Sequence, residues 1–192
     1  MLRFKFDPDK AIAALLYISQ KLLERHQIKA TVRPDIHRIS KILYFADQKH
    51  LSKYGRPILG DYFVAMNDGP VPSQIYDMVK AVRGDSYFCS ADAYAQYFDV
   101  KGYLIYPKQA PDLDQFSDSD LQCIDESTIE NQDLSFGELK AKSHDAAYEK
   151  ADRNDRISFR RMAEVAGADE AMLNYITTVW QNQNRRYGRY GR

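Results

Sequence analysis

Four histidines, His26, His37, His50 and His144, are the side chains of this chain best suited to hold a metal or move a proton. No two stand at a spacing that sets a pair of ligands on one helix face. His144 is followed by Asp145, the seed of metal-dependent phosphohydrolase chemistry. That chemistry needs further His and Asp ligands on neighbouring helices, so the single pair reads as a helix residue bonding locally. The acids between 118 and 130 could supply paired carboxylates for acid–base work, but they are spread around their helix and read as a solvated face. Ser40-Lys41 and Ser52-Lys53 have no supporting base or oxyanion motif. A Gly-rich phosphate loop, H-E-x-x-H and G-x-S-x-G are all missing from the sequence. Cys89 and Cys123 form no C-x-x-C and read as two buried structural thiols. The expectation is a protein that is not an enzyme and uses no metal or cofactor.

Binding chemistry is better represented. Tyrosine occurs fourteen times. Tyr and Arg are favoured where proteins meet, because they bury large areas and still make hydrogen bonds. Tyr44, Tyr54, Arg56, Tyr62 and Tyr76 all fall between residues 41 and 80. Tyr44 and Tyr62 suit the core. Tyr54 and Arg56, at a helix end and turn, suit the surface. The last eight residues carry four Arg interleaved with Tyr and Gly. Arg185, Arg186 and Arg189 could contact a partner or nucleic acid, although a flexible tail over 184–192 is the plainer expectation.

These residues must be positioned by a mostly helical frame. Asp7-Pro8-Asp9 starts a helix that runs to about Arg25. Pro34 and Asp35 open a second, which Gly55 and Pro57 end near Tyr54. Gly60 to Met66 reads as a strand, and Asn67-Asp68-Gly69-Pro70 as a turn. Pro72 and Ser73 launch a third helix, ending at Gly84. The stretches 94–100 and 103–106 flank Lys101-Gly102 as a hairpin, with which the strand near Tyr62 could pair. Ser117 caps an acidic helix. Ser135 and Glu138 form a capping box leading a helix to about Lys150. Shorter helices follow at 159–166 and 169–182. The fold class is mainly α (α+β): one helical domain over 1–183 with a small antiparallel sheet or hairpin.

Charge excludes little more. Formal net charge is zero, so no global field draws nucleic acid or membrane. Locally, residues 1–60 hold twelve Lys/Arg against five Asp/Glu, and residues 111–134 hold eight acids and no base. Such blocks can steer a charged partner. No secretory signal or membrane-length apolar run is read, so the cytoplasm is expected.

The run SKILYFADQKHLSKYGRPILGDYFVAMNDGPVPSQIYDMVK resembles the Panacea domain of SocA-like antitoxins, also described as GepA-like phage-associated proteins. Its elements are Leu43 to Asp47 with His50, Tyr54 to Ile58 with Gly60-Asp61, and Gly69 to Ser73 with Tyr76. Phe116 to Asp120 and Ser143-His144-Asp145 with Ala147-Tyr148 also fit, giving a signature over 36–148. An aromatic often precedes the Gly-Pro-Val-Pro run; here that place is Asp68.

The resemblance implies an α-rich fold without known catalysis, and a bacterial or prophage antitoxin acting in phage defence. It implies direct binding of a protein toxin, as in type II toxin–antitoxin systems. The expected toxin contacts are Tyr54, Arg56, Asp68, Pro70 and Tyr76. One branch of the family hands its toxin to a protease, so a proteolytic adaptor is the alternative. A nucleic-acid-binding autoregulator is less favoured, and a homo-oligomer stays open.

Overall fold

The computed structural model describes residues 4–85 and 91–187. Cys89 and Arg189 lie outside them. Helix α1 (Pro8–Ile28) begins where Asp7 accepts the Lys10 amide. Helix α2 (Ile36–Tyr54) begins at Asp35, which accepts the Arg38 amide, and stops at Gly55, whose φ of 71° is left-handed. Fourteen of the nineteen residues of α2 are buried. It is therefore the central helix, covered on all sides.

Strands β1 (Phe63–Met66) and β2 (Gly69–Pro72) pair antiparallel, and helix α3 (Ser73–Arg83) follows directly. Strands β3 (Phe98–Lys101) and β4 (Leu104–Pro107) form a separate hairpin. Helices α4 (Asp118–Asn131), α5 (Phe136–Ser143), α6 (Ala146–Glu149), α7 (Phe159–Val165) and α8 (Glu170–Tyr187) complete the chain. Around α2 pack α4, α7, α5 and β2. The fold is mainly α with two small antiparallel hairpins.

Several expectations need correction. The strand after Tyr62 does not join the 98–107 hairpin. It pairs with β2 on one edge and with residues 154–157 on the other, where Ala65 N–H donates to Asp155 O and Ile157 N–H to Phe63 O. Gly69-Pro70 is not the end of a turn but the start of β2. Two prolines in a strand are tolerated because this is an edge. Ala65 spends its backbone groups on 154–155, so the Ala65–Pro70 pair is a non-hydrogen-bonded one, and β1 asks Pro70 for no N–H. The helix expected over 135–150 is broken at His144, because Asp145 caps a new helix. The last helix continues past Asn182 to Tyr187, so Arg185 and Arg186 stand in its final turn.

Candidate partner-binding site

The polar residues of α2 would be costly in a core unless partnered, and most are tied to chain segments outside α2. Tyr44 Oη donates to Asp145 (3.0 Å) and so does Gln48 Nε2 (2.6 Å). The same carboxylate accepts the Ala147 and Tyr148 amides that open α6. Asp47 accepts the Ile58 amide at 2.7 Å, and burial pushes its carboxyl up to about 7. Asp61 accepts the Gln74 and Ile75 amides. It caps α3 from a distance, because Pro72 at the cap position makes no side-chain bond; burial raises it to about 6. His50 sits between Arg56 O and Asp120.

Asp120 is the second junction. Lys10 (2.6 Å), Arg56 (3.1 Å) and His50 (3.2 Å) converge on its carboxylate. Burial alone would raise this carboxyl. Hydrogen bonds from His50, Lys10 and Ser117 outweigh that and hold it well below the usual carboxylate range.

Beside this framework, at the N-terminal end of α2, lies a pocket of about 850 Å³. Its walls come from the β1–β2 tip, the β4 start, α3 and the start of α5. Met66, Tyr103 and Phe136 line it and are 36%, 66% and 52% exposed. Large exposed apolar groups gathered at one concavity make it the candidate site of this chain. Each is fixed by neighbours. Arg38 donates to the Gln132 and Leu134 carbonyls, satisfying the end of α4 and setting the loop before Phe136. The Phe136 ring stacks on His37 with centroids 4.0 Å apart. Tyr103 O accepts the Ile36 amide, and the Arg83 guanidinium covers its ring at 5.2 Å. Met66 O accepts Tyr148 Oη.

Lys41 forms part of the pocket wall and is 0% exposed. Its ammonium donates to Pro70 O at 2.8 Å. Burial pulls it down to about 7, with Lys140 acting in the same direction against Asp68. His37 falls to about 4, chiefly through burial and then through Lys41.

The model of the antitoxin SocA-like family, Panacea domain, matches residues 39–149, more than half of the chain. The chain belongs to this family. No curated protein and no solved structure matches it. Family membership supports an antitoxin role and suggests a non-catalytic one. Among the described residues no helix is long and apolar enough to cross a membrane.

The Panacea signature therefore consists largely of internal ties. Of the five contacts expected from sequence, Asp68 and Tyr76 reach the pocket. Asp68 bridges to Lys140 at 2.8 Å, which holds its carboxyl below the usual range. Pro70 is buried, and its carbonyl is taken by Lys41. Tyr54, 42% exposed, and Arg56 stand at the other end of α2. Arg56 is held by Asp120 and Ser117. Seventeen steps of helix separate Tyr54 from His37, about 25 Å at 1.5 Å per residue. Sequence reasoning missed Arg33, His37, Met66, Tyr103 and Phe136. The available signal was an aromatic at each of two element boundaries, beside Gly102 and after the Ser135 cap.

His144 stacks on Tyr148 at 4.1 Å. Its neighbour Asp145 has both oxygens engaged by Tyr44, Gln48 and the α6 amides. Cys123 is a buried free thiol, which burial pushes up.

Proposed function

We propose that this chain is a type II antitoxin that neutralises a protein toxin by direct binding, with the pocket at the start of α2 as the docking face. The observation that carries this reading is the convergence of Met66, Tyr103 and Phe136, all exposed, on one concavity. The rigid frame beneath them supports it, since ordered anchors lose little freedom on binding. Occlusion of a toxin surface needs no catalytic group. Action in the bacterial cytoplasm, at a phage or prophage locus, belongs to the same reading. Co-expression with the product of the adjacent gene tests it. Rescue of growth together with a complex that survives gel filtration supports it. A toxic neighbour whose toxicity this chain leaves unchanged removes it.

A second reading is a proteolytic adaptor, which needs two faces. Exposed aromatics also meet at the far end of α2, where Tyr54 is exposed and the exposed Tyr175 of α8 lies against Gly55. Under this reading the toxin's half-life shortens when the chain is present. An unchanged half-life with growth restored leaves simple occlusion.

A further inference from the structure

The charges around the pocket do not cancel. Asp35 caps α2 and lies 3.7 Å from the Arg38 guanidinium. Asp68 is paired with Lys140. Lys41 has a neutral carbonyl, Pro70 O, as its hydrogen-bond acceptor. Arg33 lines the pocket, is exposed, and makes no ion pair among the described residues. The acids are thus answered by other cations, and Arg33 is left over at the pocket.

We propose that the pocket takes a toxin segment in which a large apolar side chain is flanked by an Asp or Glu, the apolar group entering between Met66, Tyr103 and Phe136 and the carboxylate meeting Arg33. This rests on the antitoxin reading and names the chemistry of the partner at that same face. Arg suits the role, because its planar fork matches a carboxylate with two parallel hydrogen bonds. Burial lowers Lys41 in the pocket wall to about 7, and an anion bound beside it favours its charged form, which a basic segment does not. The apolar wall supplies affinity, and the charge supplies selectivity and association rate.

The test is the affinity of the toxin that wild type neutralises, measured by calorimetry for wild type, Arg33→Glu, Phe136→Ser and Ile129→Ser. Ile129 is 70% exposed on α4, does not line the pocket, and serves as the control. Arg33→Glu and Phe136→Ser each weaken binding about 10-fold or more, while Ile129→Ser stays within about twofold of wild type. Melting temperatures, read in parallel, separate lost contacts from lost fold. Reversing one acidic residue of the toxin to Lys restores binding to Arg33→Glu. Arg33→Glu binding as tightly as wild type, or more tightly, overturns the inference and leaves the antitoxin reading standing. A wild-type chain that binds no toxin overturns the antitoxin reading itself.

Discussion

Lys41 Nζ donates to Pro70 O across 2.8 Å from a position that is 0% exposed. This bond joins the central helix to the outer edge of β2. Prolines at 70 and 72 leave that edge without N–H donors at these positions, and Lys41 takes one of its carbonyls. The edge is therefore closed to strand addition from both directions. The pocket wall is built on this junction.

Burial of Lys41 gives stability a definite pH slope. Its pKa falls from 10.5 unfolded to about 7 folded. The unfolded chain binds the extra proton between those values, so this group's contribution rises as pH climbs from 7 towards 10.5 and is lost as pH falls to 7. Asp68 on the hairpin, Lys140 and His144 at α5, and His37 on α2 share this environment. Lys41→Met removes the slope. Its stability relative to wild type, from urea unfolding, should be greatest at pH 7 and decline towards pH 10. A difference independent of pH would show that Lys41 is not desolvated.

Asp47 works the other way. Its carboxyl rises from 3.8 to about 7 on folding. The folded chain binds the extra proton, so this contribution is present below pH 4 and is lost as pH rises to about 7. Asp47→Asn should flatten that decline while its side-chain carbonyl can still accept the Ile58 amide. Thermal melts between pH 4.5 and 8 check this, and parallel curves for the two proteins would contradict it.

Gly69 is confined by its surroundings. Its φ is +96°, and a Cβ there would lie 2.6 Å from Ser143 Oγ and 2.9 Å from Lys41 Cε. Gly102 also has a positive φ, but a Cβ would meet nothing within 4 Å. Gly69→Ala should cost on the order of 3 kcal/mol and Gly102→Ala about 1 kcal/mol. Chemical denaturation of both variants gives the comparison. Equal losses would mean that backbone conformation alone matters at Gly69.

Asp145→Ala leaves Tyr44 Oη, Gln48 Nε2 and two α6 amides without their acceptor. Stranding these groups should destabilise the domain by on the order of 3 kcal/mol. Asp145→Asn keeps one acceptor and should lose less. Urea midpoints decide, and two variants of wild-type stability would remove Asp145 from the framework.

Much of the helical frame was legible in the sequence, because capping residues and periodic Ile and Leu act locally. The Asp7, Asp35, Ser117 and Ser135 caps all stand where the chain announces them. The Gly69–Pro72 strand was not legible. Its prolines argue against a strand until the 154–157 segment and Lys41 are seen to satisfy the neighbours. The break at His144 comes from Asp145, a local cap of the same kind that the sequence reading passed over, and only its ties to Tyr44 and Gln48, about a hundred residues away, were out of reach. The pocket was hidden for the same reason: His37 and Phe136 meet only in three dimensions. Residues 41–80 fall within the span that matches the family, yet most of their polar groups hold the fold and few line the pocket.

Hydrogen–deuterium exchange of the chain alone and bound to a toxin it neutralises would show whether the pocket at the start of α2 is the docking face. Docking there gives new protection at residues 66–69, 103–104 and 136–138, with residues 54–56 unchanged in the simple complex. Protection confined to residues 54–56 and α8, with the pocket exchanging as in the free chain, would contradict it.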